Sequence, residues 1–295
     1  MSTVLLSIVG LLLVIFVWQT MVRPPAPVNL RSDVGVRRSL ADCEGLLRLI
    51  HSLQQHRGMC AAWLAGGQQF EAPMRGKRRD VNHDIEALVA IAEAEAMCDS
   101  PCLTPYELDL LDTQWKELCA ELDGIGVRPG VDDSITRHSL LVSHVLSWLK
   151  SLGERRVAPF AGPAHDKLLR TWLDTLPQLG EHLGQARAIG SSAAARGDCS
   201  PAERMRLMFL ASRAESLMHQ AIADAPRLPG ALPATERVVG LIGILRSALP
   251  GSPHAPSAEV FFGDATAAVD AVYAWMNACE DALRNALAPA KPSAG

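Results

Sequence analysis

From residue 39 onward, apolar residues recur at spacings of three and four and almost nowhere in strict alternation. The first period lines one face of an α-helix, whereas alternation would line one face of a strand. The pattern predicts helices near residues 39–66, 70–97, 104–123, 132–152, 163–197, 200–224, 234–249 and 257–288. Two starts carry full punctuation. Thr104-Pro105-Tyr106-Glu107 and Ser200-Pro201-Ala202-Glu203 each combine an N-cap hydroxyl, a proline at the first helical position and a glutamate three residues on. Ser257 ahead of Ala258-Glu259 is a simpler version of the same signal. After residue 22 no cluster of β-branched and aromatic residues is bounded by hairpin turn residues, so the expected fold class is all-α.

The N-terminus follows different rules. The first 22 residues contain no charged side chain, and residues 4–22 as a helix span about 28 Å, enough to cross a bilayer core. No basic residue precedes this run and no small-x-small site follows it, so it reads as a retained transmembrane anchor over residues 1–22. Arg23, Arg31, Arg37 and Arg38 all follow the span, which by the positive-inside rule keeps the bulk of the chain cytoplasmic, on a single-pass protein of the inner (plasma) membrane. Residues 23–38, rich in Pro and Arg, read as a juxtamembrane linker, residues 39–288 as the helical domain and residues 289–295 as a disordered tail.

Composition agrees with a helical domain: 48% of residues are hydrophobic but only 5% aromatic. A net charge of -4, without a stripe of Lys and Arg interleaved with aromatics, leaves no footprint for a nucleic-acid partner. Seven cysteines, an odd and scattered set, fit a reducing compartment better than a disulfide framework. Cys98 and Cys102 have neither the redox spacing nor a second pair to complete a metal site. His51 with His56 and His138 with His144 miss the one-turn spacing of a metal-binding helix. No nucleophile elbow, phosphate-cradling glycine loop or His-Glu-x-x-His motif is present, so the expectation is a non-enzyme without cofactor or metal.

Two arginines depart from the polar face. Leu46, Ile50, Leu53, Arg57, Cys60 and Leu64 share one helical stripe, and Leu169, Leu173, Leu176, Gly180, Leu183, Arg187, Gly190 and Ala194 share another, with Pro177 beside it. The chain compared with itself at an offset of 130 sets Leu53, Gln55 and Arg57 over Leu183, Gln185 and Arg187, and Ala65 and Gly67 over Ala195 and Gly197. A guanidinium facing a bundle core costs several kcal/mol, on the order of an uncompensated buried ion, unless something anionic meets it. A carboxylate such as Glu86 or Glu215 could supply that charge, or a bound anion could. The small residues nearby, Gly58, Ala61, Ala62, Gly190, Ser191 and Ser192, serve either close helix packing or a small ligand.

The run from Leu49 to Gly58, with its Leu53-Gln54-Gln55-His56-Arg57-Gly58 core, followed by Ala61-Ala62-Trp63-Leu64, resembles the opening helix of the nitrate- and nitrite-sensing (NIT) domain family of bacterial receptors and regulators. Leu176-Pro177-Gln178-Leu179-Gly180, Leu183-Gly184-Gln185-Ala186-Arg187 and Ser200-Pro201-Ala202-Glu203-Arg204 are similar to its second-half pattern. Ala258-Glu259-Val260-Phe261-Phe262, with Thr266, Val269 and Asp270, resembles its last helix. His56 and the Phe261-Phe262 pair depart from the usual residues at their positions. The resemblance implies a double helical bundle and a small inorganic anion, of the nitrate or nitrite class, held by Arg57 and Arg187. A planar guanidinium suits a planar oxyanion through paired hydrogen bonds. The sequence carries no output segment of its own, so the expected signal passes to a separate partner protein; a homodimer is left open. The alternative is a helical scaffold, a protein-interaction module with no small-molecule ligand.

Overall fold

Helix starts in this chain are set by local chemistry, and the computed structural model, which describes residues 33–225, 227–247 and 255–287, places them where that chemistry lies. Eight long helices occur among the described residues: α1 Asp33–Leu64, α2 Glu71–Ala96, α3 Pro105–Leu122, α4 Val131–Leu152, α5 Leu176–Arg196, α6 Pro201–Asp224, α7 Ala231–Ser247 and α8 Ala258–Ala286. Thr104 and Ser200 each close a capping box with Glu107 and Glu203, and the Ser257 hydroxyl accepts from the Val260 amide. α5 ends at Gly197, whose left-handed φ of 71° a side chain would resist.

Two boundaries differ from the sequence expectation. α1 begins at Asp33, inside the segment read as linker, because the prolines stop at Pro27 and Val36 and Leu40 are already buried. The helix expected over 163–197 changes pitch on the way. The helical turn Asp166–Arg170 leads into a π segment, Thr171–Thr175, and only then into α5. Pro177 offers no amide and its ring crowds the carbonyl four residues back, so the wider turn before it absorbs the misfit. A matching π segment, Gly153–Val157, follows α4, and Leu173 packs where a side chain on Gly153 would stand. The expected anchor over residues 4–22 and the tail over 289–295 lie outside the described residues. Among the described residues no helix is long and apolar enough to cross a membrane.

α1 and α5 are buried nearly all round, α1 from Cys43 to Trp63 and α5 from Leu176 to Ala193, rather than along a single stripe. α1 packs with α2, α3 and α4: Ser52 donates to Asp84, His56 meets Trp115 edge-on, and Cys60 lies 3.3 Å from the Ser134 hydroxyl. α5 packs with α6 and α8, and α7 completes that second group of four. The two bundles join where α1 lies against α5 and α8. Along α1 the partners on α8 fall from Arg284 beside Glu44, through Asp270 beside His51, to Phe262 beside Gly58, so the two helices run antiparallel. α5 is antiparallel to α8 as well, Gly180 meeting Tyr273 and Gly190 meeting Phe261. α1 and α5 are therefore parallel, and their cross-contacts join residues 124, 127 and 133 positions apart. The internal offset of 130 is thus also a register in space: the two similar segments lie side by side.

Within the first bundle a buried histidine pair has its protons assigned by geometry. The Nδ1 of His138 lies 2.7 Å from the Ser134 carbonyl, which can only accept, so Nδ1 carries the proton and Nε2 is an acceptor. The His56 Nδ1, 2.8 Å away, must donate to it, leaving the His56 Nε2 as a buried, unpartnered acceptor. Neither ring can gain a proton without setting two N–H groups against each other or an ion against the core. Burial first, then neighbouring charge, holds His138 down to about 3 and His56 well below the usual histidine range. Both folded values lie below the unfolded one, so stability is complete above about pH 6.5 and falls as the unfolded state takes up protons below it. We expect a loss of roughly 1.4 kcal/mol per pH unit for each ring between pH 6.5 and 5. Urea unfolding across that range checks this, and the double variant His56→Gln, His138→Gln should flatten the slope.

Candidate functional site

The polar residues buried where α1, α5 and α8 meet form one connected cluster. Arg57 on α1 is fully buried and grips Glu181 on α5 with both terminal nitrogens, at 2.6 and 3.0 Å. It also donates to the Ser139 hydroxyl on α4 at 2.9 Å. The Glu181 carboxylate accepts from Gln54 at 3.0 Å and Gln185 at 2.8 Å too, so four donors surround its two oxygens. Gln54 is the hub. Its side chain accepts from the Tyr273 hydroxyl on α8, and its backbone carbonyl accepts from Arg187 on α5 at 2.8 Å.

Arg187 stands differently. It too is fully buried, yet its terminal nitrogens reach only neutral acceptors, the Gln54 carbonyl and the Thr266 hydroxyl at 3.1 Å. Its guanidinium carbon lies 5.4 Å from the centre of the Phe262 ring, a cation–π contact. Its Nε, like that of Arg57, has no hydrogen-bond partner, and the Ser191 hydroxyl, one turn further along the same helix face, is buried without a partner as well. Burial first, then the charge of Arg57, pushes the Arg187 guanidinium down to about 10. It stays protonated at neutral pH, held there at a cost on the order of 3 kcal/mol. Asp270, half-exposed and 3.2 Å from His51, is the nearby carboxylate on α8. The buried group of Arg57, Arg187 and Glu181 thus carries one more positive than negative charge.

Glycines make the cluster possible. A Cβ on Gly58 would stand 2.9 Å from the Arg187 Nε, and one on Gly184 would stand 2.8 Å from a terminal nitrogen of Arg57. Each arginine therefore lies over a glycine of the opposite helix. Phe261 covers Gly190, where a Cβ would meet its ring at 2.2 Å. The two adjacent aromatic residues at the start of α8 thus have separate tasks, Phe261 closing the helix contact and Phe262 facing Arg187.

Both arginines expected from the sequence come together here. The counter-charge of Arg57 is Glu181 and neither Glu86, which is exposed, nor Glu215, which pairs with Arg246 across α6 and α7. A signal for Glu181 existed: it is the one carboxylate between Asp174 and Asp198, set between Gly180 and Gly184 in a segment rich in small and apolar residues. The hub role of Gln54 had no such signal, because its main chain carries half of it. Cys98 and Cys102 are both free thiols, and burial with Glu95 alongside pushes Cys102 up to about 11.

The same substitution at the two arginines should separate their roles. Arg57→Met strands the buried Glu181 carboxylate and should cost about 3–5 kcal/mol. Arg187→Met removes a buried charge that no carboxylate meets and should leave stability within about 1 kcal/mol of wild type, or raise it. Chemical denaturation of the two variants beside wild type, in a buffer free of small oxyanions, reads the difference.

The comparisons with known proteins bear on this arrangement. The sequence model of a family described as nitrate and nitrite sensing matches residues 48–288. Among solved structures the chain is similar to that reported as the structure of the NasR transcription antiterminator, with a TM-score of 0.66 and 18% identity, over 85% of this chain and 71% of that one. A search of curated proteins returns no match. At that identity the structural likeness speaks for the fold alone, while the sequence match spans α2 to α8 entire and the part of α1 that bears Arg57. The chain belongs to the nitrate and nitrite sensing family.

Proposed function

We propose that this protein is a membrane-anchored sensor that binds a small monovalent oxyanion, nitrate or nitrite, in the buried cluster of α1, α5 and α8 and signals through a separate partner protein. The observation that carries the reading is Arg187: a buried guanidinium that no carboxylate meets, with an unpartnered Ser191 hydroxyl one turn along its helix. An anion there would offset the cost of holding that charge, and one excess positive charge in the cluster matches one negative charge on the ligand. Arg57 is the second contact. Family membership supports the ligand class. The anchor rests on the uncharged run at residues 4–22 and on the arginines that follow it. A scaffold without a ligand is the second reading, and the closed Arg57–Glu181 pair is the observation in its favour.

Nitrate or nitrite at about a hundred times its dissociation constant should stabilise wild type by roughly 2.7 kcal/mol and leave Arg187→Met unmoved. Thermal unfolding at fixed ionic strength, with sulfate and chloride as screening controls, makes the measurement. No nitrate- or nitrite-specific shift in wild type would favour the scaffold. For topology, a C-terminal fluorescent-protein fusion should glow and a C-terminal alkaline phosphatase fusion should be silent; the opposite pattern reverses the orientation.

A further inference from the structure

Glu181 belongs to two places at once. Its carboxylate closes the buried Arg57 pair, and the same residue lines a cleft of about 410 Å³ between α4 and α5, together with Ser139, Ser143, Lys150, His182 and Gln185. Ser139 does likewise, accepting from Arg57 on the inner side of that cleft. The carboxylate and the hydroxyl are thus the layer between Arg57 and the opening.

A carboxylate is itself a planar fork of two oxygens sharing one negative charge, and the Arg57 fork, Gln54 and Gln185 supply it with four donors. Nitrite presents the same fork. Nitrate presents it with a third oxygen in the place the Glu181 Cγ now takes. The donor set that holds Glu181 is therefore complementary to the ligand class of the proposed function. We propose that Glu181 is a tethered competitor: it occupies the Arg57 half of the site in the resting protein, and an oxyanion entering by the α4–α5 cleft displaces it. This inference rests on the proposed anion-sensing reading and goes beyond it by assigning a selectivity and a switch to a residue that touches the ligand's place rather than the ligand.

Three consequences follow from competition. Wild-type affinity is reduced by the fraction of molecules in which Glu181 is bound to Arg57. Displaced but still tethered beside the site, the Glu181 carboxylate repels a divalent anion more strongly than a monovalent one, which favours monovalent ligands. Once displaced, the carboxylate has a cation to meet in Lys150, which lines the same cleft and reaches Asp174 at 3.4 Å. That exchange moves a contact from α1 to α4.

The test compares wild type with Glu181→Gln as full-length chains in detergent micelles, titrated with nitrate, nitrite and sulfate by calorimetry and thermal unfolding. The variant keeps the side-chain volume but presents an amide to Arg57 and leaves the cluster with two excess charges. We expect nitrate and nitrite to bind it at least about tenfold more tightly than wild type, and sulfate, silent in wild type, to bind as well. A variant that binds nitrate as wild type does, or more weakly, overturns the competitor. Nitrate silent on both proteins overturns the anion reading itself, which keeps the two failures apart. A second measurement needs no variant: carbodiimide labelling of wild-type carboxylates, read by mass spectrometry. Glu181, its side chain 7% exposed, should be protected without ligand and labelled in saturating nitrate. Protection unchanged by nitrate that does bind overturns the displacement.

Discussion

Two guanidinium groups and a single carboxylate, which pairs with one of them, are buried at the centre of this protein, and much of the structure around them serves to make that arrangement tolerable. A buried ion costs several kcal/mol, on the order of half the stability of an ordinary domain, so it persists only where its surroundings are fixed. Arg57 is fixed by Glu181, Ser139 and the packing of Gly184 beneath it. Arg187 is fixed by a main-chain carbonyl, a hydroxyl and an aromatic face, groups that orient a charge without neutralising it. The difference between the two environments is chemical and not a matter of depth, since both side chains are fully buried.

That centre dictates the helix geometry. α1 and α5 run in parallel and must come close enough for Arg57 to reach α5 and Arg187 to reach α1, which requires glycine on each helix opposite the other's arginine. Close parallel packing with α8 crossing antiparallel over both buries α1 and α5 on all sides, so neither helix has an amphipathic face of the usual kind. Small residues replace bulky ones along α5, and the aromatic pair Phe261-Phe262 on α8 fills the space they leave.

Helix number and order were readable in the sequence because capping boxes and apolar spacing are local signals, acting within one turn of the residues that carry them. The arginines were readable for the same reason: each stands in its own apolar stripe. Helical spacing reports which face a residue lies on but not what it meets, and so it could not choose Glu181 over Glu86 or Glu215. It also supplied no reason for Gln54, whose carbonyl and side chain act on three different helices. The start of α1 and the pitch change before α5 escaped for a different reason. A linker was inferred from prolines that end six residues before the helix begins, and the misfit at Pro177 is relieved upstream of the proline, in residues with no unusual composition.

The position of the cluster decides what a change there can do. α1 holds the first bundle together through Ser52, His56 and Cys60, and α5 holds the second through α6 and α8, so the Arg57–Glu181 and Arg187–Gln54 contacts are also joints between bundles. Packed interiors respond to altered charge by shifting between discrete arrangements rather than by bending smoothly. The stretch of chain between α4 and α5 joins the two bundles and carries an irregular helical pitch. Its two π segments, Gly153–Val157 and Thr171–Thr175, break the ordinary hydrogen-bond ladder, and the second ends six residues before Glu181. A rearrangement of one carboxylate is thus placed close to the segment of irregular pitch that connects the halves.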